Sequence, residues 1–526
     1  MTNHHLEAAL NPSTASLIRR VRRFLTKLDI PAYAVGGVVR DLVMKRRAID
    51  VDIAVAADAS AISEKLAAAL DATLIPLDVE KRVVRLLPKG ANKGKWQLDI
   101  ASLQGSLRAD LRRRDFTVDA MALDLAKLNL TRNVLTADII DPAGGLDDIE
   151  HRIIRAVSPG CFRHDPLRLL RGVRLKTELG FDIEPATRDI MKRDAKLIGK
   201  AAPERVRDEL LRLFALPGTY DAVTELDALG LLTAIIPEIA PLRGTEQPRE
   251  HTWNVLLHSA RSIDALDFIL RKGEWAFAKT KVLSKIPRGR DIQAYFAGPV
   301  SPPSTRYVLT KLAAMLHDIA KPQTRVINQY GQVRFYGHPQ EGAPMAAVIL
   351  ERLRFSAREA RFVETIVRYH LRPVQMSKDE EPPTPRAIYR FFRDLGDAAV
   401  ATLYFSLADH LATRGPNLEK GNWNWHTGIV AKLVEEYRRT PPMTAVKRLI
   451  DGHDLQRELQ LPPGRLMGTM LNELDEAQGA GEITTRKEAL AYAEKLMTTP
   501  ETLSAYTDRS AVENAGIIRD FADATE

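Results

Sequence analysis

The pattern of apolar residues changes near residue 148, and this change constrains the fold more than any other feature of the sequence. Before it, short runs such as 50–55 alternate polar and apolar residues, which is typical of half-buried strands. After it, apolar residues recur every three or four positions, as they do in amphipathic helices. We therefore predict an α+β protein: a small α/β head with a mixed sheet and helices, followed by a long, mostly α-helical body.

The same patterns give approximate element boundaries. The head is predicted to contain helices at 17–30, 38–44 and 59–70, and strands at 33–35, 50–55, 83–87, 96–101 and 116–125. Within the body, a basic stretch with several prolines at about 264–306 is predicted to be a loop-rich insertion of unassigned role.

Length and composition exclude several classes of protein. A chain of 526 residues suggests three or four domains at the usual figure of about 150 residues each. The single cysteine, Cys161, excludes a disulfide framework and a zinc site built from cysteine pairs. No apolar run approaches the ~18 residues needed to cross a bilayer, and no signal sequence is recognisable. We expect a cytoplasmic protein that does not contact membranes.

The charge distribution indicates an anionic partner. The chain has 76 Lys and Arg against 68 Asp and Glu, a net charge of +8. Between Arg19 and Arg47 there are nine basic residues against two acidic ones, and a second basic cluster spans 108–114. Spread-out lysines also serve solubility, but clustering favours nucleic acid or nucleotide phosphate.

Two aspartates in the head are candidate metal ligands. Asp50 and Asp52 lie two residues apart on a predicted strand, so both side chains project from one face. Because neighbouring carboxylates repel each other, Mg²⁺ is the natural occupant between them where phosphate chemistry is involved. Asp99, on another predicted strand, could complete a triad that holds two metal ions. An Asp-x-Asp pair alone is commonplace, so flanking residues must support the interpretation.

Paired glycines supply that support. Gly36 and Gly37 stand between a predicted strand and a predicted helix, where backbone N–H groups can approach phosphate oxygens. Arg40, one turn into the helix, could pair with a phosphate or with Asp52. The succession of paired glycines, an Arg-Asp pair and, nine residues on, the Asp-x-Asp strand predicts a nucleotide-binding site.

Three segments of the head closely resemble the class II tRNA nucleotidyltransferase/poly(A) polymerase family. They are Tyr33-Ala-Val-Gly-Gly-Val-Val-Arg-Asp, Asp50-Val-Asp and Leu111-Arg-Arg-Arg-Asp-Phe-Thr-Val-Asp-Ala. The resemblance covers at least residues 30–215. It implies a nucleotidyltransferase-type head that uses Mg²⁺, CTP and ATP to add CCA to tRNA 3′ ends, or adenylates to other RNA, without a nucleic-acid template.

The resemblance also implies roles for individual residues. It assigns Asp50 and Asp52 as the metal-binding catalytic pair and Asp99 as a third catalytic acid. The residues that it assigns to nucleotide binding are Gly36, Gly37, Arg40, Arg113, Arg114, Asp115, Asp165, Arg168, Arg171 and Arg174. Guanidinium groups can hold phosphates bidentately while a carboxylate accepts from ribose hydroxyls. A solvated basic run is the alternative for residues 112–114.

The segment 164–171 resembles the family's protein template, in which an acid and an arginine read the base edge. Asp165 and Arg168 are predicted to share a helix face and to offer acceptor and donor groups that mimic Watson–Crick pairing. The family's usual glutamate is His164 here. Residues 203–209 resemble the motif that braces this helix. An intrahelical charge ladder is the alternative for both segments.

A second set of candidate ligands lies in the body. His317 and Asp318 are adjacent within an apolar helical pattern, and His and Asp suit Mg²⁺, Mn²⁺, Ni²⁺ or Fe²⁺. The set resembles the HD metal-dependent phosphohydrolase superfamily, which implies four metal ligands: His258, His317, Asp318 and Asp409. It implies three additional site residues, of which the lysine could hold phosphate: Lys321, His338 and His370. The identity of the metal, a divalent transition metal or Mg²⁺, stays open. A single buried histidine, by contrast, is usually a core residue.

These assignments define the expected domains. They are a catalytic head at 1–145, a helical nucleotide-selecting and RNA-binding neck at 146–240, an HD-type domain at 241–440 and a helical, RNA-contacting tail at 441–526. The tail resembles the closing segment of bacterial tRNA nucleotidyltransferases that carry such a domain, at 450–455, 463–464 and 481–489.

The sequence therefore predicts an RNA nucleotidyltransferase that adds CCA, or part of it, to tRNA 3′ ends, with an HD phosphohydrolase as a candidate second activity. Two alternatives remain: a poly(A) polymerase, or mainly an HD phosphohydrolase acting on nucleotides or RNA ends. The segment 99–106 is shorter than the flexible loop of one familiar type of CCA-adding relative. CC-, A-, CCA- and poly(A)-adding activities all stay open, as does the oligomeric state.

Overall fold

The computed structural model describes residues 5–47, 50–78, 82–90, 93–131, 134–248, 251–376, 381–439 and 448–498. Its contacts divide the chain into two compact units, Met1–Ala240 with Arg352–Arg354, and Pro241–Glu351 with Phe355–Glu526. The predicted α+β class is confirmed, with a mixed sheet near the N-terminus and a mostly helical remainder. Among the described helices, none combines the length and the apolar character that a membrane span requires. Residues 440–447 and 499–526, which fall in the predicted tail apart from residue 440 of the predicted HD-type domain, lie outside the described residues.

The strands of the first unit are β1 (His5–Ala9), β2 (Ala32–Val35), β3 (Asp50–Val55), β4 (Ala72–Asp78), β5 (Val83–Pro88), β6 (Gln97–Ser102), β7 (Ala122–Asp124), β8 (Asn129–Thr131), β9 (Val134–Ile140), β10 (Ile153–Ile154) and β11 (Asp182–Ile183). The main sheet runs β1-β9-β7-β2-β3-β6-β5-β4, with β8 also on β9. Its β3–β6 pairing is parallel, and the other pairings are antiparallel.

The helices of the first unit are α1 (Pro12–Lys27), α2 (Gly37–Val43), α3 (Ala59–Leu70), α4 (Leu107–Arg112), α5 (Gly145–Glu150), α6 (Cys161–His164), α7 (Arg168–Leu179), α8 (Pro185–Asp194), α9 (Pro203–Ala215), α10 (Thr219–Ala228) and α11 (Leu231–Ile235). Helices α1, α2 and α3 pack their apolar residues against one face of the main sheet. The apolar residues of each alternating strand point toward this helical layer, so the polar residues project from the opposite face of the sheet.

The boundaries of several head elements differ from the predictions. Strand β3 and helix α3 have the predicted bounds, but α1 begins at Pro12 because the Asn11 side chain caps it. The predicted strand at 116–125 is wrong, since a 3₁₀ turn occupies Thr117–Asp119 and only Ala122–Asp124 is strand. Residues 116–123 are buried on every side, so the alternation that distinguishes the two faces of a strand is absent.

The second unit is mostly helical. Its helices are α12 (Val255–Ile269), α13 (Arg290–Ala297), α14 (Arg306–Leu316), α15 (His338–Arg352), α16 (Ala357–Tyr369), α17 (Arg372–Gln375), α18 (Pro385–Leu395), α19 (Ala399–Arg414), α20 (Lys420–Arg439), α21 (Gly452–Leu459), α22 (Arg465–Gly479) and α23 (Arg486–Met497). Two hairpins accompany them: β12 (Pro299–Ser301) with β13 (Ser304–Thr305), and β14 (Arg325–Ile327) with β15 (Val333–Phe335).

The core of this unit is built by α12, α14 and α19, which are buried along most of their lengths. Residues 264–269 continue α12, because Leu266, Phe268 and Ile269 extend its buried face. The prediction of a loop-rich insertion beginning at 264 is therefore wrong at its start. Residues 270–289 are mostly irregular, as predicted, and α13 and the first hairpin follow them.

Gly172 of α7 packs directly against Phe116. A Cβ atom at Gly172 would lie 2.8 Å from Phe116 Cζ and 3.1 Å from Met191 Cε. Alanine favours a helix over glycine by about 1 kcal/mol. Even so, we expect Gly172→Ala to destabilise the first unit, because overpacking a filled core typically costs about 1–3 kcal/mol. Hydrogen–deuterium exchange of the α7 amides measures the effect.

Gly428→Ala is the matched control. Gly428 is an exposed residue of α20, and a Cβ atom added there would have no neighbouring atom within 4 Å. Here alanine is expected to stabilise α20 by up to about 1 kcal/mol and therefore to slow hydrogen exchange of its amides. Unchanged or slower exchange of α7 in Gly172→Ala would contradict the packing described above.

Candidate active site and metal centre

The pairing of β3 with β6 brings the three candidate acids of the head onto one face. Asp52 lies opposite Asp99 in the parallel register, and Asp50 lies opposite Gln97. The intervening residues of both strands are almost fully buried in the core on the other face: Val51, Ile53, Leu98 and Ile100. The acids therefore share the face that the helical layer leaves uncovered, with Asp50 exposed at the start of β3.

The electrostatics of this face favour a cation. Burial, and then the nearby acids Asp99 and Asp119, raise the pKa of Asp52 to about 6, although Arg114 opposes the shift. Burial and Asp99 also raise the pKa of Asp50. Oxygen donors of this kind suit Mg²⁺. The residues thus fit a divalent ion held by Asp50 and Asp52, and this role stays a prediction.

Asp99 has a partner that sequence analysis missed. Arg85 lies opposite Asp99 in the β5–β6 pairing, and its Nε and Nη2 atoms donate to the two carboxylate oxygens at 2.8 and 2.7 Å. The alternation of β5 places Arg85 on the polar face, which was the available signal. A third-acid role for Asp99 would require its carboxylate to be shared with this guanidinium.

The turn at Gly36 depends on the absence of a side chain. Gly36 has φ of +77°, and a Cβ atom there would lie 2.6 Å from Arg114 Nη1 and 3.3 Å from Asp52 Oδ2. Only glycine adopts this backbone conformation readily and leaves that space open. The guanidinium of Arg114 thereby lies beside both the turn and the candidate metal-binding acid.

The structure contradicts one of the two pairings predicted for Arg40, the one with Asp52. Its buried guanidinium donates to Asp119 Oδ1 at 2.7 Å and to Asp41 Oδ1 at 3.0 Å, rather than to Asp52. Because Asp119 is the last residue of the 3₁₀ turn, this ion pair fastens α2 to that turn. Its predicted contact with phosphate stays untested.

The arginine-rich segment after α4 forms an ionic cluster with α7. Asp115 is buried, with Oδ2 2.7 Å from Arg171 Nε. Burial opposes ionisation of Asp115, but Arg171 and then Arg168 outweigh it and hold the pKa of Asp115 below its ordinary value. Arg113 points elsewhere, because its Nη2 donates to the carbonyl of Gln104. The structure therefore places Arg114, Asp115 and Arg171 together, and Arg113 at their edge.

The candidate base-reading residues do not share a helix, so that prediction is wrong. Asp165 ends α6 in an extended conformation, and α7 begins only at Arg168. The physical reason is Pro166, since a proline disfavours helical backbone in the residue before it. His164, at the departure from the family pattern, places Nδ1 2.9 Å from the carbonyl oxygen of Gly160.

Both base-reading candidates are nonetheless held in place. Arg205 Nη2 and Nη1 donate to the two oxygens of Asp165 at 2.8 and 3.2 Å. Arg168 donates to the carbonyl oxygens of Arg113 at 2.9 Å and Cys161 at 3.3 Å. Arg205 belongs to the segment predicted to brace this region.

Arg174, a further nucleotide-binding candidate, is committed to two carboxylates. Its guanidinium donates to Glu209 of α9 and to Glu178 of its own helix. The contact with Glu209 joins α7 to α9. A direct role for Arg174 in nucleotide binding stays a prediction.

In the second unit, the four ligand candidates converge in the core. His258 lies on α12, Asp409 lies on α19, and His317 and Asp318 directly follow α14. The Nε2 atom of His258 is 2.9 Å from Asp409 Oδ1 and 3.3 Å from His317 Nε2. Asp318 Oδ2 is 3.1 Å from His317 Nε2. All four residues are buried.

Backbone carbonyls fix the orientation of three histidines. The Nδ1 atoms lie 2.9 Å from Ala314 O in His317, 2.8 Å from Phe335 O in His338 and 2.7 Å from Val367 O in His370. Since a carbonyl only accepts, each Nδ1 carries the hydrogen and each Nε2 is left as a ligand atom.

The donor set fits a divalent metal. Ligand atoms lie within 4.8 Å of one another in two overlapping groups, His258–His317–Asp409 and His317–Asp318–His370. Among the described residues, Oδ1 of Asp318 and Nε2 of His338 make no hydrogen bond although they are buried, whereas Oδ2 of Asp318 lies within ion-pair distance of Lys321. Buried polar atoms of this kind are costly unless something binds them. Mixed imidazole and carboxylate donors suit transition metals as well as Mg²⁺.

A cavity of about 310 Å³ adjoins this centre. Its lining includes Asp318, His370 and three cations, Lys321, Arg334 and Arg414. The ammonium of Lys321 lies 2.7 Å from Asp318 Oδ2. A metal centre beside several cations can bind a phosphate group.

His410, which sequence analysis missed, lines the cavity. A relay of side chains orients it. Ser406 donates its hydroxyl hydrogen to the carbonyl of Leu403 at 2.8 Å, and its oxygen lies 3.2 Å from His426 Nε2. His426 Nδ1 lies 3.1 Å from His410 Nδ1. His426 therefore donates to Ser406 and orients His410. Adjacency to Asp409 was the signal in the sequence.

Metal binding by the second unit is directly measurable. We expect His317→Ala to lower the affinity for Mn²⁺ at least about tenfold, because a ligand atom shared by both groups is lost. Mass spectrometry of bound metal after equilibrium dialysis checks this. Asp409→Asn keeps the side-chain size and should act in the same direction. His453→Ala, at an exposed histidine of α21, should change nothing. Equal metal content in all variants would contradict the assignment.

Family models match four segments of the chain. They describe a poly A polymerase head domain at residues 32–155, an RNA- and SrmB-binding site of polymerase A at 180–242, an HD domain at 250–399 and a tRNA nucleotidyltransferase domain 2 at 426–493.

Curated relatives match nearly end to end. An A-adding tRNA nucleotidyltransferase of Deinococcus radiodurans is 31% identical, over 88% of this chain and 95% of the relative. A CC-adding tRNA nucleotidyltransferase of Thermus thermophilus is 31% identical, over 89% and 94%. The structure of the Bacillus stearothermophilus CCA-adding enzyme in complex with CTP has the same fold, with a TM-score of 0.60 at 21% identity over 94% of this chain and 100% of that one. The chain therefore belongs to the tRNA nucleotidyltransferase/poly(A) polymerase family, as a nucleotidyltransferase that carries an HD domain.

Proposed function

We propose that this nucleotidyltransferase adds CCA, or part of it, to tRNA 3′ ends from CTP and ATP. The observation that carries the proposal is the face shared by Asp50, Asp52 and Asp99 beside the Gly36 turn. The names of its A-adding and CC-adding relatives support the substrate. Divalent ions bound by Asp50 and Asp52 would supply activation of the RNA 3′-hydroxyl and neutralisation of triphosphate charge.

The remaining work is positioning and charge neutralisation by the chain's own residues. In the proposed reaction, the RNA 3′ oxygen forms a bond to the α-phosphorus as the bond to pyrophosphate breaks. Arg114, beside Asp52 and the glycine turn, is placed to hold phosphate oxygens. Asp115, kept ionised by Arg171, can accept hydrogen bonds from ribose hydroxyls.

For the second unit we propose a metal-dependent phosphohydrolase acting on phosphorylated nucleotides or RNA ends. The ligand set of His258, His317, Asp318 and Asp409 supports a bound metal, and the cations of the adjoining cavity support a phosphate ligand. The proposed domain boundaries and cytoplasmic location are those predicted from the sequence.

Incorporation assays test the proposed function. On tRNA lacking CCA, supplied with CTP alone, ATP alone or both, we expect template-independent addition of at most three nucleotides. Asp52→Asn should lower incorporation at least about 10³-fold, because it removes a charge needed to hold the ions. Asp147→Asn, at an acid with 74% side-chain exposure, is the control. Unlimited adenylate addition to arbitrary RNA would instead identify a poly(A) polymerase. Full activity of Asp52→Asn would contradict the assignment of Asp52 to the catalytic site.

Nucleotide choice is expected to depend on Asp165. Asp165→Ala removes an acceptor that can face the base edge and leaves Arg205 without its fork partner. We expect the ratio of kcat/KM for the preferred nucleotide over the other to fall about tenfold or more, with a smaller fall in total turnover. Arg205→Lys, which keeps the charge but loses the bidentate geometry, should give a smaller shift in the same direction. An unchanged ratio in Asp165→Ala would refute the role.

A further inference from the structure

A short segment of the second unit exposes an unusual concentration of apolar and aromatic side chains. We call residues 325–336 the aromatic hairpin; it consists of β14, β15, their turn and Tyr336. Its most exposed apolar residues are Val326 at 47%, Ile327 at 57%, Tyr330 at 76% and Tyr336 at 66%. These are four of the eight large apolar residues that the described part of the chain exposes, so exposed apolar side chains are concentrated on this segment.

The hairpin does not bury this surface itself. A two-stranded hairpin has little stability of its own in water, so exposed apolar groups on it are of no use to folding. Such a concentration of exposed apolar side chains in one segment points to a binding role.

The charge of the hairpin selects the kind of partner. It contains Arg325 and Arg334 and no acidic residue. Aromatic rings interleaved with arginines bind single-stranded nucleic acid, because bases stack on the rings while guanidinium groups contact phosphates.

The hairpin also continues into the HD cavity. Arg334 and Phe335 line that cavity, and the Lys321 ammonium lies 5.3 Å from the centre of the Phe335 ring. Tyr336 is two residues before His338, whose Nε2 is 3.4 Å from Asp318 Oδ1. A strand of RNA lying on the hairpin would therefore have its end beside the candidate metal centre and the cavity cations.

We propose that the aromatic hairpin binds the last nucleotides of a single-stranded RNA and delivers its terminal phosphate to the HD cavity. This rests on the phosphohydrolase proposed above and names its substrate class: phosphorylated RNA 3′ ends rather than free nucleotides. The hairpin contributes binding of the strand, whereas the metal ligands and the cavity cations act on the phosphate.

Kinetics with a long and a short substrate test the proposal. The full chain loaded with Mn²⁺ is given a ten-nucleotide RNA with a 3′-phosphate, or 3′-AMP. We expect Tyr330→Ala to raise KM for the RNA about tenfold, because a stacking platform is lost, with kcat and the kinetics on 3′-AMP unchanged. Tyr330→Phe keeps the ring and should behave as the wild type. Equal KM values for the RNA in Tyr330→Ala and the wild type would overturn the proposal.

A cross-linking experiment does not depend on hydrolysis. The same RNA carrying 4-thiouridine at its penultimate position is irradiated with the wild-type protein, and the adducts are mapped by mass spectrometry. Adducts within 325–336 that disappear in Tyr330→Ala support the proposal. Adducts found only elsewhere overturn it, as does self-association of the wild type that Tyr330→Ala abolishes. If neither substrate releases phosphate, the proposed phosphohydrolase fails, and the cross-links still decide whether the hairpin binds RNA.

Discussion

The parallel pairing of β3 with β6 is the constraint on which the candidate catalytic face depends. It sets Asp52 opposite Asp99, so two carboxylates lie side by side where burial already penalises the charge of Asp52. The surrounding cations answer this repulsion: Arg85 forms a fork with Asp99, and Arg114 lies beside Asp52. The second of these contacts requires the bare glycine at position 36.

Both units bring candidate metal ligands close together, but they do so with different donor atoms. The head offers carboxylate oxygens near a partly exposed face, a set that suits a hard ion exchanged with solvent. The second unit offers imidazole nitrogens and carboxylates in a buried centre, where backbone carbonyls orient three of the histidines. Such a set suits a broader range of metals. One chain thus provides two chemically distinct sets of candidate metal ligands.

Local patterns in the sequence predicted the elements that carry most candidate residues. Alternation located β3 and thus the shared face of Asp50 and Asp52, and the sequence motifs led to the family that the comparisons confirm. The order of histidines and aspartates in the body predicted residues that the structure brings together, although their spacing along the chain spans 151 positions from His258 to Asp409.

What the sequence did not reveal was pairing between distant segments. Arg85 and His410 gain their partners from strand register and from a hydrogen-bond relay, and neither of these pairings leaves a local pattern. The strand wrongly predicted at 116–125 also reflects tertiary packing, because burial on all sides removes the periodicity of its residues. Asp165 was a different error, since the effect of Pro166 on its backbone could have been read directly.

The two hydrogen bonds from Arg205 to Asp165 fix the geometry of the carboxylate as well as neutralising its charge. A bidentate guanidinium sets the plane of the carboxylate, and Arg168 is fastened to two carbonyl oxygens. Rotation of both side chains is thereby restricted, so in the proposed base-reading role little ordering entropy would be lost on binding. If Asp165 and Arg168 face a base as proposed, this stiffness would favour fidelity to one base over versatility.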